Sequence, residues 1–141
     1  MAPINNASEL EALLAAWSDP STQTKTTFLE LKEHLEGKPE VELDFVGRPG
    51  VTYSLRAKHV RQNKRPLFAM VDIIDDDSDD RWLSVCFFGE MITDPDEIGD
   101  FVPEGLMGED AHCFDIEERD DRLNQYVTMR LDEAYGSAAA E

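Results

Sequence analysis

Six aspartates crowd residues 72–80, in the stretch DIIDDDSDDRW, and raise the question of a calcium site. Calcium loops of the EF-hand type require the pattern D-x-[DN]-x-[DN]-G, followed by a glutamate at the twelfth position. The first three ligand positions are met by Asp75, Asp77 and Asp79. Asp80 stands where the glycine belongs and Cys86 where the glutamate belongs, so the motif fails at the residues that shape the loop. The stretch therefore predicts a solvated turn between two apolar strands.

Two cysteines and three histidines offer the next candidate chemistry, zinc binding or nucleophilic catalysis. A structural zinc site needs about four N or S ligands, usually in close pairs such as C-x2-C, and this chain has no such pair. His112 and Cys113 are adjacent, so in a strand their side chains point to opposite faces and form neither a metal site nor a Cys–His catalytic pair. We therefore assign no catalytic residue, no metal ligand and no cofactor. Cys86 and Cys113 are expected to be buried thiols.

Basic residues cluster in one segment of a strongly acidic chain, whose formal net charge is −18. Residues 45–71 carry 6 Lys or Arg and no acidic residue, whereas residues 72–141 carry 4 basic and 22 acidic residues. The cluster, here called the basic segment, comprises Arg48, Arg56, Lys58, His59, Arg61, Lys64 and Arg65. These residues either neutralise the protein's own carboxylates or bind an anionic partner. The overall charge disfavours duplex nucleic acid and anionic membrane surfaces as that partner.

Length and composition predict a single domain over residues 1–141 without a membrane segment. A chain of 141 residues, 41% of them hydrophobic, can bury one sizeable core but hardly a second. No apolar run approaches the roughly 18–20 residues that span a bilayer, and the start MAPINNASEL lacks signal-peptide features. Two cysteines far apart in the sequence suit a reducing compartment. We therefore expect a cytoplasmic protein.

Helical periodicity outlines two helices near the N-terminus. Ser8 and Glu11 form a capping box that predicts a helix over residues 8–17. A second helix is predicted over residues 23–36, ended by Gly37 in a left-handed conformation. Residues 1–22 are thus expected to form a helix and linker ahead of an α+β core.

A third helix is predicted to close that core, which extends to residue 135. Asp120 or Asp121 caps it. Its apolar stripe comprises Leu123, Tyr126, Val127, Arg130, Leu131 and Ala134. From Gly136 onward we expect a frayed tail.

Strict alternation of apolar and polar residues predicts a β-hairpin over residues 41–59, with the turn GRPG between its strands. In its second strand Arg56 and Lys58 fall on the solvent face, and Arg61, Lys64 and Arg65 follow in the adjoining loop. The basic segment is therefore predicted to lie at the surface.

Two later predicted strands, LFAMVDII and RWLSVCFF, carry apolar residues at both odd and even positions, which is typical of strands buried on both faces. We expect Phe68, Trp82, Val85 and Phe87 to be buried. Cover on both faces requires helices on either side or a second subunit, as in a homodimer. The acidic, Pro- and Gly-rich residues 93–110 are predicted to form a long surface loop, with at most a short helix at 95–101, and residues 111–116 an edge strand.

Three stretches in this order, PLFAMVDI, RWLSVCF and LNQYVTMRLDEAY, resemble the small α+β domains of the YdhG and YjbR type. The similarity covers roughly residues 25–135. Those domains share a phenylalanine-alanine strand followed by a strand that often reads L-x-V-K. This chain departs from them by placing Cys86 where Lys is common and by its long acidic loop at 93–110. The resemblance implies a small α+β fold and no particular activity.

The sequence as a whole predicts an α+β fold, with an antiparallel sheet of about four to five strands packed with two N-terminal helices and one C-terminal helix. We expect a binding or adaptor module without catalysis, which recognises an anionic protein surface or a small anionic ligand through the basic hairpin. The alternative is an enzyme or ligand-binding protein with its pocket under the acidic loop 93–110.

Overall fold

The computed structural model describes residues 3–141, which form three α-helices and one seven-stranded sheet. The helices are α1 (Ala7–Ala16), α2 (Thr24–Glu36) and α3 (Asp121–Ala139). The strands are β1 (Ile4–Asn5), β2 (Val41–Arg48), β3 (Thr52–His59), β4 (Ala69–Ile74), β5 (Trp82–Phe88), β6 (Asp100–Leu106) and β7 (Glu109–Ile116). A 3-10 turn, Gly89–Met91, follows β5. The predicted α+β class is confirmed, but the predicted count of four to five strands is wrong.

The strands follow the order β1-β2-β3-β4-β5-β7-β6 across the sheet. Strands β2 to β5 form a meander of antiparallel neighbours, and β7 pairs antiparallel with both β5 and β6. The two-residue β1 runs parallel to β2, with Ile4 opposite Leu43. The surplus strands are β1 and β6, which lie where the sequence carries no run of alternating apolar residues.

All three helices pack on one face of the sheet, here called the helix face. Alternate strand residues that point to this face are fully or almost fully buried: Leu55, Val71, Val85 and Phe114 are each at most 1% exposed. The ring of Tyr126 in α3 lies 5.9 Å from that of Phe114. Burial of these apolar side chains is the main favourable term for the fold.

The two N-terminal helices join this layer through aromatic contacts. The ring of Trp17, at the end of α1, lies 6.0 Å from that of Phe28 in α2. The guanidinium of Arg81 lies 5.9 Å from the rings of both Trp17 and Tyr53, which connects α1 to β3. The N-terminal helices therefore share one core with the sheet.

The opposite face of the sheet, here called the open face, is crossed by none of the three helices. Trp82, Cys86, Met70 and Ile74 point to this face and are only partly buried. The expectation that helices lie on both faces of the sheet is therefore wrong for residues 3–141, and so is the expected burial of Trp82. Cover of the open face by a second subunit stays a prediction. Phe68, Val85 and Phe87 are fully buried as predicted.

Cys86 and Cys113 form a disulfide, so the prediction of two thiols is wrong. Cys86 in β5 stands directly opposite Cys113 in β7, and their Cα atoms are 4.1 Å apart. Directly opposed residues of antiparallel strands come this close when they form a non-hydrogen-bonded pair. The two residues are 27 positions apart in the sequence, so only the strand register reveals their proximity.

Two of the three predicted helix boundaries have a different cause from the one expected. Asn6 precedes α1 and donates a hydrogen bond to the Phe45 carbonyl, so Ser8 lies inside the helix and forms no capping box. Gly37 ends α2 with a right-handed φ of −77°, and Glu40, with φ 60°, takes the left-handed conformation instead. Asp120 caps α3 as predicted, because its side chain accepts from the first backbone N–H groups of that helix.

The last helix continues well past the predicted end of the core, through Gly136 to Ala139. Ala138 is fully buried, and Glu141 Oε1 accepts hydrogen bonds from the backbone N–H groups of Lys64 and Arg65 at 2.9 and 3.1 Å. The expectation of a frayed tail from residue 136 is wrong because these contacts tie the end of the chain to the β3–β4 loop.

Half of the acidic stretch 93–110 is strand, so the prediction of one long surface loop is wrong for that half. Its second half forms β6 and the turn to β7, and Met107 and Gly108 adopt left-handed φ values of 51° and 83° at the turn. Strand β7, predicted to be an edge strand, lies between β5 and β6, and β6 is the edge. Pro103 sits within this edge strand, where its missing N–H disrupts no ladder between two neighbours.

Candidate functional site: a groove on the open face

A groove of about 710 Å³ lies on the open face over β2 and β3. Arg56 and Lys58 line it together with apolar side chains from three other segments, Ile4 in β1, Leu67 before β4 and Met107 at the tip of the β6–β7 hairpin. The alternation of β3 explains the two basic residues, since they point away from the helix face on which Leu55 and Ala57 are buried. The groove thus combines apolar walls with two cationic groups.

Neither cationic group is within 4.0 Å of a carboxylate among residues 3–141, although acidic residues stand opposite both in the ladder. Asp44 is opposite Arg56 and Glu42 is opposite Lys58. The Asp44 side chain instead accepts a hydrogen bond of 3.0 Å from Asn5. Among residues 3–141, the Arg56 side chain makes one hydrogen bond, from Nε to Ser54 Oγ, and at 3.4 Å this bond is long. The donors of Arg56 and Lys58 are therefore left for another acceptor.

The other members of the basic segment lie outside the groove. Arg65 is 9% exposed, donates to Glu90 and Glu109 at 2.9 and 3.4 Å, and lies over the Phe88 ring. Arg61 is exposed and pairs with Glu40 at 3.2 Å. These two arginines do neutralise the protein's own carboxylates.

The three remaining members have different surroundings. His59 is fully buried on the helix face, its ring 5.3 Å from that of Tyr135. Lys64 and Arg48 are exposed, in the β3–β4 loop and at the end of β2. The structure therefore brings together only Arg56 and Lys58 of the seven residues singled out in the sequence.

Asp72 lies beside this pair on the open face, opposite both Ser54 and Ser84 in the ladder. Burial raises the pKa of the Asp72 carboxyl above its usual value, although Ser54, Arg56 and Arg48 act in the other direction. Its Oδ1 has no hydrogen-bond partner in the described part of the chain. Asp72 is thus the one member of the aspartate run that belongs to the open face.

The rest of the aspartate run forms the β4–β5 turn. Asp75 is buried, and accepts from the backbone N–H of Gly50 at 2.8 Å and from Arg81 Nε at 2.6 Å. Asp77 accepts from the N–H of Asp79 at 3.0 Å and is exposed. Of the aspartates that match the calcium pattern, Asp75 is therefore buried in an ion pair with Arg81, whereas Asp77 binds a backbone N–H at the surface. The sequence did not predict the buried pair.

A second cavity, of about 540 Å³, lies beside β6, at the place where the sequence suggested a pocket under residues 93–110. Its wall includes Phe101 and Glu104 of β6, and His112 of β7. His112 Nε2 lies 2.7 Å from Asp94 Oδ2, and Gly99 packs against the imidazole ring, where a Cβ would come within 2.6 Å of it. These contacts fix the orientation of the ring.

Asp94 is the centre of this arrangement. Burial alone would raise the pKa of its carboxyl, but hydrogen bonds from Tyr126, His112 and the backbone N–H groups of Gly99 and Ile98 lower it to about 2. The side chain of Asp94 is 10% exposed. The network ties the segment before β6 to both β7 and α3.

Several lining residues of the groove could not be singled out from the sequence. Met107 lies in what reads as a surface loop, and Ile4 precedes the first recognisable helix. The alternation in β3 does place Arg56 and Lys58 on one face, and that was the signal that identified them.

Comparisons of the chain with protein-family models, curated proteins and solved structures find no match. None of the helices in residues 3–141 combines the length and the apolar character needed to cross a membrane.

Proposed function

We propose that the protein is a binding module and that the groove on the open face takes a small organic anion with an apolar body. The single observation that carries the proposal is that Arg56 and Lys58 line the groove side by side without an ion pair within 4.0 Å among residues 3–141. A cavity of this size suits a small ligand, since ligand sites commonly measure about 300–1,000 Å³. Ile4, Leu67 and Met107 supply the apolar surface.

The ligand is held by direct contacts and not by a long-range field. Glu42 and Asp44 also line the groove, so its formal charges cancel. A carboxylate, sulfonate or phosphate that reaches Arg56 and Lys58 gains charge-assisted hydrogen bonds, which are stronger than neutral ones. A polyanion such as duplex nucleic acid gains those few contacts but is repelled by the rest of the surface.

Two fluorescent probes with a shared apolar body test the proposal: anilinonaphthalene sulfonate, which is anionic, and N-phenylnaphthylamine, which is neutral. We expect the sulfonate to bind the folded protein more tightly than the amine. The variant Arg56→Gln/Lys58→Gln should weaken sulfonate binding by roughly tenfold or more and leave amine binding almost unchanged.

The matched control is Lys64→Gln/Arg122→Gln, which removes the same charge from two exposed side chains outside the groove. It should bind the sulfonate as the parent protein does. Equal loss in both double variants would mean that the overall charge, and not the groove, determines binding, and would refute the proposal. A urea-unfolding midpoint shared by all three proteins shows that the fold is intact.

The second candidate is a ligand-binding protein or enzyme that uses the cavity beside β6. The observation in its favour is that His112, held by Asp94, forms part of the wall of that cavity. The charged side chains of the wall are four acidic ones and one basic one, so this cavity suits a cationic ligand better than an anionic one; they are Glu90, Glu104, Glu109, Asp110 and Arg65. A binding screen in which a cationic dye responds to Glu104→Gln but not to Arg56→Gln/Lys58→Gln would favour this candidate.

Two expectations from the sequence stay predictions. Kinship with YdhG- and YjbR-type domains is one. A cytoplasmic location is the other, and the disulfide removes one argument for it, since two free thiols had been expected.

A further inference from the structure

The disulfide lies on the open face, away from the helices. Cys86 is partly exposed and Cys113 is 8% exposed. The strands that it joins are already paired over six residue positions, from Leu83 opposite Ile116 to Phe88 opposite Ala111. The ladder can therefore hold β5 and β7 together when the sulfur–sulfur bond is broken.

One side chain that can carry a proton lies next to one of the two sulfurs, and a second stands behind it in the ladder. Ser84, two residues before Cys86 on the same face, has its Oγ 3.6 Å from Cys86 Sγ. Asp72 stands opposite Ser84 in the ladder, which makes it a diagonal neighbour of Cys86. Burial raises the pKa of Asp72, so its carboxyl keeps a proton at higher pH than an ordinary aspartic acid does.

The surroundings of the disulfide are acidic. Asp100 in β6 stands opposite Cys113, and Asp115 follows two residues after Cys113 on the same face. Asp100 and Asp115 are exposed. Two basic side chains of this face lie further away or are neutralised. Arg56 is opposite Met70, which is in turn opposite Cys86. Arg65 lies over the ring of Phe88, two residues after Cys86, and is paired with both Glu90 and Glu109. The immediate field at the two sulfurs is therefore negative.

We propose that Cys86–Cys113 is a thiol–disulfide exchange site that reacts with neutral or cationic thiols and disfavours anionic ones. A thiolate from the partner attacks Cys86 Sγ, the bond to Cys113 breaks, and Cys113 leaves as a thiolate that takes a proton from solvent. A second partner thiolate then attacks the partner's sulfur in the mixed disulfide and releases Cys86. Two partner thiols are oxidised to one disulfide, and the protein disulfide is reduced to two thiols.

In the second step Ser84 acts on the departing sulfur itself, and Asp72 acts through Ser84 as a positioning residue. The Cys86 thiolate that departs is next to the Ser84 hydroxyl, which can pass it a proton. The protonated form of Asp72, opposite Ser84 in the ladder, can resupply that proton. The charge preference acts on the approach of the partner thiolate, because Asp100 and Asp115 repel an anionic molecule and attract a cationic one. The two effects are separable by experiment.

The first experiment compares three small thiols as reductants of the oxidised protein: cysteamine, mercaptoethanol and mercaptopropionate, which are cationic, neutral and anionic. Samples are alkylated with N-ethylmaleimide at successive times and weighed by mass spectrometry. With rates normalised to thiolate concentration, we expect cysteamine to exceed mercaptopropionate by on the order of tenfold at low salt, and the two to converge at high salt.

Asp100→Asn/Asp115→Asn should compress that difference, whereas the charge-matched control Asp76→Asn/Asp79→Asn, in the exposed β4–β5 turn, should preserve it. The proposal is overturned if the folded protein, after mild oxidation, still adds two maleimides without reductant, if its disulfide resists all three thiols until the protein is unfolded, or if the three rates are equal at low salt.

The second experiment follows the mixed disulfide on Cys86 by peptide mass after an acid quench. In Asp72→Asn and in Ser84→Ala we expect this species to accumulate, because its resolution slows by roughly tenfold. Normalised to thiolate concentration, the resolution rate of the parent protein should fall as pH rises through the pKa of Asp72, and that of Asp72→Asn should lack this dependence. Identical pH profiles would remove Asp72 from the proposed mechanism.

Discussion

Asp75 and Arg81 face each other across the β4–β5 turn, with Oδ1 2.6 Å from Nε and side chains 6% and 10% exposed. Burial alone would raise the pKa of Asp75, but the N–H of Gly50 and the Arg81 guanidinium lower it below its usual value. This pair fastens the turn that reads in the sequence as a uniformly solvated run of acids.

Arg81→Met should therefore lower the free energy of unfolding by about 3 kcal/mol, because it leaves a buried carboxylate without its charged partner. The measurement is urea denaturation near neutral pH. Asp76→Asn, an exposed neighbour in the same turn, should change stability by less than about 0.5 kcal/mol. A similar small effect for Arg81→Met would show that the pair is solvated.

Asp94 should make stability depend on pH in the acid range. Its folded-state pKa of about 2 lies below the ordinary value of 3.8, so its contribution is fully present above that value and is lost as pH falls through the folded pKa. The shift corresponds to about 2 kcal/mol. The difference in unfolding free energy between the parent and Asp94→Asn should thus shrink as the pH is lowered from about 5 to about 2. A difference that stays constant would contradict this assignment.

Two glycine substitutions should act in opposite directions. Gly99→Ala places a Cβ 2.6 Å from the His112 ring and 2.8 Å from that of Phe114, so we expect a loss of about 1–3 kcal/mol. Gly136→Ala, within α3 and facing open space, should stabilise the protein by about 0.5–1 kcal/mol. Thermal or urea unfolding distinguishes the two signs.

Phe87→Ala should cost about 3–5 kcal/mol, because Phe87 is fully buried on the helix face against the edge of Phe114. Ile74→Ala, on the open face and only partly buried, should cost clearly less. Urea denaturation of both variants measures the difference between the two faces. Equal losses would mean that the open face is covered in solution.

Substitutions of the sequence neighbours Arg65 and Lys64 should differ in their effect on stability. Arg65→Gln should cost about 1–2 kcal/mol, since it removes two ion pairs and a guanidinium packed on Phe88. Amide hydrogen exchange should also quicken at the tip of the β6–β7 hairpin, which Glu109 holds to Arg65. Lys64→Gln should leave both stability and exchange within error, because the Lys64 side chain is exposed.

The sequence predicted the elements whose signal is local. Alternation identified β2 and β3 almost to the residue, and the cap at Asp120 marked the start of α3. Strand β6 was missed because Pro103 and Gly105 weaken any strand pattern, and its pairing with β7 is what makes it a strand. Local propensity carries no information about such a partner.

Other differences arise from tertiary contacts. Asn6 displaces Ser8 as the residue before α1 because its amide bonds to β2, which is distant in sequence. Likewise, the opposition of Cys86 and Cys113 depends on the register of β5 with β7, which no spacing rule supplies. In the candidate site, only Arg56 and Lys58 could be predicted from the sequence. The apolar wall of the groove is formed by segments that only the fold brings together.

The parallel pairing of β1 with β2 has a consequence for the order of folding events. Every antiparallel pair in the sheet joins strands that are adjacent in the chain or separated by one strand, whereas β1 must close a loop over both α1 and α2 to reach Leu43. Longer loops cost more closure entropy and form later. We therefore expect the β2–β5 meander to form first and β1 to pair with β2 afterwards.

The two tryptophans report on these two stages, because Trp82 belongs to β5 and Trp17 ends α1. In refolding, the signal of Trp82 should precede that of Trp17, as the meander assembles first and the N-terminal segment docks onto it afterwards.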